Sequence, residues 1–452
     1  MTKNQPRYSK IAIIGGGPSG LAAAKALALE PFEFETIDLH ERRDKLGGLW
    51  YHKGNKSLIH SQIPNLNPNN HEIIDDGATK QDKFFSAIYK FMETNIIHRL
   101  MQYNEVPFPP KTANYPKRQL VFDYLENYNQ SIPNKINVRL NSDITELKKV
   151  DNEWHLVSND KVNKYDAIVL ANGHFNTPFI PEVKGLTNWN INKPKTILHS
   201  KYFEDPNSYR DKTVLIIGNS ASGVDISTQI STVAKKVIVS VRDLSNLDFE
   251  NDLIKYIGLI EEYNWENSSV ETKDEIIEGI DYVIFCTGYL YSFPFIKSDS
   301  VITNGRIVYN LYKQIFNIFD PSISYVGLGK NIVPMPLGES QSALIARVYS
   351  GRYDLPTTQE MKESYEQELD EKGESKFHVF GFPKDYEYGK HLQELIDSRD
   401  LRHPGLVAPI WDEQLIEDRS ESKEAKNKRL QELVKHVKKL RSEGKDFELL
   451  DN

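Results

Sequence analysis

The chain has 452 residues, 39% hydrophobic and 11% aromatic, enough apolar material for sizeable cores in two or three domains. A net charge of -8 and a pI near 5.9 exclude an extended basic face for nucleic acid. No run approaches the ~18 apolar residues that a membrane span needs, and the first seven residues lead into no signal-peptide core, so a cytoplasmic location is expected, with peripheral membrane attachment left open.

The first predicted strand, Lys10-Ile11-Ala12-Ile13-Ile14, runs into Gly15-Gly16-Gly17-Pro18-Ser19-Gly20 and then into Leu21-Ala22-Ala23-Ala24-Lys25-Ala26-Leu27, a segment of strong helix propensity. Strand, tight turn and helix in that order make a dinucleotide loop. Gly15 permits the turn, Gly17 admits the pyrophosphate to the backbone, Gly20 lets helix and strand pack closely, and the helix start offers unpaired N–H groups to the anion. The next strand, over residues 34–40, ends at Glu41. An acid there binds a ribose hydroxyl and repels a 2′-phosphate, so the site suits FAD or NAD rather than NADP.

Further on, residues 119–125 read as a helix, and three short strands follow near 145–147, 154–157 and 167–170, spaced as an antiparallel meander. Ala171-Asn172-Gly173-His174 closes the last of them, and the proline-marked stretch 177–181 reads as a crossing into a second unit. There Thr213-Val214-Leu215-Ile216-Ile217 leads into a second loop, Gly218-Asn219-Ser220-Ala221-Ser222-Gly223. Its following strand, 237–241, ends in Arg242 instead of an acid, and arginine suits the 2′-phosphate of NADP.

The single cysteine, Cys286, ends the apolar run 282–285 and is expected to be a packed core thiol. One cysteine also excludes the redox-active pair of a disulfide reductase. A return crossing at 286–289, a buried strand at 323–326 and a helix at 339–346 belong with the first unit. The expected architecture is therefore α/β with two dinucleotide-binding, Rossmann-like domains: 1–176 and 301–452 for FAD, and an inserted NADP domain at 177–300. Residues 413–445 form a charged C-terminal helix with a thin apolar stripe, Leu430, Leu433, Val434 and Val437, expected to dock on its own domain. Twelve scattered histidines show no ligand spacing, so no metal site is expected.

The two loops, together with Gly47-Gly48-Leu49-Trp50, Met92-Glu93-Thr94-Asn95, Ala171-Asn172-Gly173-His174 and Cys286-Thr287-Gly288-Tyr289, resemble the flavin-containing monooxygenases, most closely fungal members that oxidise thiols. The family's segment Phe-x-Gly-x-x-x-His-x-x-x-Tyr/Phe keeps His199 and Phe203, but Lys193 and Lys195 stand at its Phe and Gly positions. The resemblance implies that FAD, reduced by NADPH, takes up O2 as a C4a-hydroperoxide and hands one oxygen to a soft sulfur or nitrogen nucleophile. It makes Asn95 the catalytic residue, its amide bonding without a titratable proton. It adds Gly48, Leu49, Trp50, Thr94 and Gln341 to the cofactor-binding set, and lets His199 and Ser200 touch NADP. The partners it implies are a small nucleophile and O2, with a homodimer and a peripheral place on the endoplasmic reticulum as options. Two alternatives stay open: a Baeyer–Villiger oxygenase, whose longer fingerprint around His199 is not found, and a flavoprotein that senses NADPH or makes peroxide.

Overall fold

Two stretches of the chain place a buried, β-branched strand directly before a glycine loop and a helix, and each organises a parallel sheet. The computed structural model describes residues 6–53, 56–78, 82–247, 249–297 and 303–451. Its contacts divide the chain into unit 1, made of Met1–Tyr51, Ile96–His174 and Tyr291–Ser422, and unit 2, made of His52–Asn95, Phe175–Leu290 and Lys423–Asn452.

In unit 1, β1 (Lys10–Ile14) leads through the loop into α1 (Pro18–Ala28), and the chain returns as β2 (Thr36–His40), parallel to β1. On its other side β1 pairs in parallel with Ala167–Leu170, so the sheet reverses its winding at β1. This reversal opens a crevice at the carboxyl end of β1, where open α/β sheets take ligands. The full sheet has seven strands, in the order Leu311–Tyr312, Phe316–Asn317, Ile323–Tyr325, Ala167–Leu170, β1, β2 and Asn137–Arg139. The alanine run of α1 shares one buried cluster with Ala343, Leu344 and Ile345 of the helix Pro334–Tyr349. Small side chains on both helices permit that close packing.

The expected meander is present with a different third strand. Ile144–Val150, Glu153–Ser158 and Lys161–Tyr165 form the antiparallel sheet, while Ala167–Leu170 is a central strand of the parallel one. Lys161-Val162-Asn163-Lys164 is too polar to announce a strand, whereas the fully buried Ala167–Leu170 carries the continuous apolar run of a strand covered on both faces.

In unit 2, β3 (Thr213–Ile217), α2 (Ala221–Ile230) and β4 (Lys236–Ser240) repeat the arrangement. The five strands are all parallel, in the order Ile197–His199, Tyr282–Phe285, β3, β4 and Ile254–Ile257. Val214 and Ile216 face one apolar cluster and Leu215 the other, so both faces of β3 are covered. The winding again reverses beside the strand that carries the glycine loop. The long helix Glu413–Ser442 sends Leu430, Leu433 and Val434 against Val224 and Phe249, and Val437 and Leu440 against Leu253 and Phe447.

The division of contacts and the expected boundaries differ chiefly in three segments: 52–95 and 423–452 pack with unit 2, and 291–297 packs with unit 1. For the second the reason is that its apolar stripe finds its partners there. Among the described residues no helix is long and apolar enough to cross a membrane.

Candidate active site

In unit 1 the first loop is shaped by contacts that leave no room for side chains. A Cβ on Gly20 would lie 1.8 Å from the carbonyl oxygen of Gly15, so only glycine lets α1 start against the end of β1. Gly17 is the N-cap of α1 and no side chain caps the helix, which leaves its first N–H groups aimed at the crevice. The segment Gly47-Gly48-Leu49-Trp50 folds onto this loop. Gly47 N–H donates to Gly16 O at 2.9 Å, and a Cβ on Gly17 would stand 3.3 Å from Gly48 Cα. Leu49 is half-buried, and the half-buried Trp50 packs against the main core of the unit.

Glu41 is buried beside the loop. Its carboxylate accepts from Gly16 N–H at 2.8 Å and from Arg43 N–H at 3.0 Å. A carboxylate has about four acceptor positions, so two backbone bonds leave room for ribose hydroxyls. Sequence reasoning missed Arg43, which is buried, donates to Gly48 O at 2.9 Å and to Tyr51 O, and lies over the Tyr51 ring. Burial lowers its guanidinium to about 10, still charged at neutral pH. Nothing but its place two residues after Glu41 marked it.

Gln341 is buried, accepting from Gly327 N–H at 2.9 Å and donating to Tyr388 Oη at 3.1 Å. Gly327 in turn lies against Ser19, where an added Cβ would stand 2.5 Å from the hydroxyl. Gln341 thus supports the first loop through Gly327, an indirect role that the residue type alone did not suggest.

In unit 2 the second loop has the same construction. A Cβ on Gly223 would lie 2.0 Å from Gly218 O, and Ser220, the N-cap of α2, makes no capping bond with its side chain. Asn219 Oδ1 is buried without a hydrogen-bond partner among the described residues, an acceptor that a ligand donor would satisfy. Ala221 and Ser222 open α2. Arg242 is exposed two residues past β4, and no described carboxylate pairs with it. An uncapped helix start, an amide oxygen without a partner among the described residues and a guanidinium with no described carboxylate beside it fit a nucleotide with a 2′-phosphate.

His199 does not fit the expected contact with NADP. The ring is fully buried, one nitrogen bonds Gly288 O at 3.0 Å and the other accepts from Lys201 N–H at 3.1 Å. Burial pushes its pKa down to about 3, so the ring is neutral and both its nitrogens serve the chain itself. Ser200 is likewise buried, near the side chains of Cys286 and Tyr289. These residues fix the backbone next to the second loop. Burial raises the Cys286 thiol to about 12, which makes it unreactive.

Thr94 and Asn95 also belong to unit 2. Thr94 is buried, while the Asn95 side chain is exposed and makes no hydrogen bond to the described residues. Its amide keeps both donors and its acceptor for a ligand. A cavity of about 120 Å³ in unit 1, lined by Tyr103, Asn104, Pro336, Ile410 and Trp411, contains none of the predicted site residues.

Comparison with known proteins identifies the family and supports the fold. The chain matches the flavin-binding monooxygenase-like family over residues 77–247 and 253–400, and an NAD(P)-binding Rossmann-like domain over 13–71. It is 32% identical to a thiol-specific monooxygenase of Saccharomyces cerevisiae, across 98% of this chain and 97% of that protein. The flavin-containing monooxygenase FMO GS-OX5 of Arabidopsis thaliana is 30% identical, across 83% of this chain and 80% of the relative. Among solved structures, an S-allyl-L-cysteine S-oxygenase from Allium sativum superposes with a TM-score of 0.78 at 26% identity, covering 96% of this chain and 98% of that one.

Proposed function

Since the chain belongs to the flavin-binding monooxygenase-like family, an FAD- and NADPH-dependent class of enzymes, we propose that it oxygenates the sulfur of small thiols or thioethers. The observation that carries the sulfur preference is the end-to-end similarity to a thiol-specific monooxygenase, joined by the fold-wide likeness to an S-oxygenase. Each turnover consumes one NADPH, one proton and one O2, and yields NADP+, water and the oxygenated sulfur compound. Bound FAD supplies the oxygen chemistry, taking hydride from NADPH and activating O2.

The chain's own residues then bind, orient and exclude water. The uncapped start of α1 receives the FAD pyrophosphate and Glu41 accepts its ribose hydroxyls, held in place by Gly16 and Arg43. The start of α2 receives the NADPH pyrophosphate, Asn219 meets a donor on the nucleotide and Arg242 holds the 2′-phosphate. Asn95 hydrogen-bonds in the reaction site through a neutral amide that neither gives up nor takes a proton across the working pH range.

The test is oxygen and NADPH consumption with product analysis over a small thiol, a thioether, a tertiary amine and a cyclic ketone. Sulfur substrates should give product matching NADPH used, with little peroxide. Equal coupling on the amine, or product from the ketone, would overturn the sulfur assignment.

A further inference from the structure

Glu93 lies two residues before Asn95 and is 2% exposed, a carboxylate that has lost its water. Two cations of the long helix compensate it. Arg429, itself 3% exposed, approaches with Nη2 at 2.9 Å and Nε at 3.2 Å from Oε2, and Lys426 Nζ lies 3.0 Å from Oε1. Lys426 also donates to the main-chain oxygen of Thr94 at 3.1 Å, so it grips both the side chain of Glu93 and the peptide that joins Thr94 to Asn95. The same stretch is held by α2 from within unit 2. Tyr89 donates to Asp225, and Gln229 Nε2 donates to Asp225 at 3.0 Å and to Phe91 O at 3.3 Å. Phe91 meets Phe447 edge-to-face at 5.2 Å.

Glu93 and Thr94 are thus buried and bonded, and the exposed side chain that follows them, Asn95, makes no hydrogen bond to the described residues. Asn95 itself sits in an irregular bend with no ladder or helix to fix it. We propose that Lys426 and Arg429 are positioning residues for Asn95: their ion pairs with Glu93 hold the Asn95 backbone so that its amide stays aimed, and a segment more than three hundred residues away in sequence sets how tightly oxygen use is coupled to product. The proposal rests on the reading of Asn95 given above. A purely structural ion pair would need only Glu93, whereas the bond from Lys426 to Thr94 O adds nothing to charge compensation and acts directly on the peptide before Asn95.

Lys426→Met is the informative variant, because Arg429 still pairs Glu93 while the grip on Thr94 O is lost. Amide hydrogen exchange of the peptide covering 91–97 should speed up by about tenfold or more, with FAD content and anaerobic reduction by NADPH within about twofold of the parent. Product per NADPH should fall about threefold or more, with peroxide making up the difference. Lys426→Arg should restore most of the coupling, and Leu433→Ala, which loosens the same helix without touching the clamp, should leave coupling intact at an equal loss of Tm. Should Lys426→Met fail to fold, Lys426→Gln carries the same readings. Unchanged exchange and coupling in the lysine variant, while Asn95→Leu uncouples the enzyme, would overturn the clamp and leave the Asn95 reading standing. Intact coupling in Asn95→Leu would overturn that reading first, and equal uncoupling by Leu433→Ala would reduce the clamp to a stability contact.

Discussion

Single residues carry the proposed difference between the two nucleotide sites. Glu41 is buried and already held by two backbone donors, so its carboxylate is pre-oriented for ribose hydroxyls. Glu41→Ala removes that acceptor and leaves Gly16 N–H unpaired, so FAD should be lost during gel filtration, read as the 450 nm absorbance retained per protein. Arg242 has no described carboxylate partner and stands exposed beyond β4, so its guanidinium is available to a 2′-phosphate. A hydrogen bond to a charged group contributes about 1.5–3 kcal/mol, so Arg242→Ala should raise KM for NADPH about 10- to 100-fold. KM for NADH should stay nearly unchanged, and an equal rise for both would contradict the assignment. The positions of Glu41 and Arg242, each just past the end of a strand, were legible in the sequence. The indirect parts of Gln341 and His199 were not, because a residue type does not say whether its polar atoms are already taken by the chain.

Helices and strands carry the next set of consequences. Strand, loop and helix were readable at β1–α1 and β3–α2 because the apolar runs are short, β-branched and closed by glycine. The strand Lys161–Tyr165 was hidden by its lysines, and its neighbour Ala167–Leu170 was assigned to the wrong sheet because a buried run does not announce its partners. Where α1 meets Pro334–Tyr349, Glu339 is fully buried, accepting from Asn104 N–H at 2.7 Å and Tyr128 Oη at 2.8 Å. Burial outweighs those bonds and pushes its pKa from 4.5 up to about 8. The fold therefore holds a proton that the unfolded chain releases between those values, so this group's contribution to stability falls as pH rises through that window. Tm should drop more steeply between pH 5 and pH 8 in the parent than in Glu339→Gln, and parallel profiles would exclude the effect. The corresponding lesion in unit 2 is Gly223→Ala, whose Cβ would collide with Gly218 O. It should abolish reduction by NADPH while leaving FAD bound, since the first loop is untouched.

Across the molecule, the two units have separate apolar clusters, so each nucleotide should stabilise the unit that carries its loop. A ligand at about 100 times its Kd adds ~2.7 kcal/mol to the unit that binds it. Excess NADP+ should therefore slow hydrogen exchange in β3, α2 and β4, and restoring FAD to flavin-depleted protein should slow it in β1, α1 and β2. The alternation of segments between the units was only partly readable. The two glycine loops mark where each sheet begins, but nothing in 52–95 or 423–452 names the cluster it will join, because the stripe on the long helix is apolar without being specific. The clamp on Glu93 also has a consequence for the life of the nascent chain. Lys426 follows Glu93 by 333 residues, so at about 5–20 residues per second a ribosome needs roughly 15 to 70 s to deliver the partner of that carboxylate. Until then Glu93 stays solvated and, on the clamp proposed above, Asn95 is unsupported, so a chain that had gathered both nucleotides before Lys426 was made would consume NADPH wastefully.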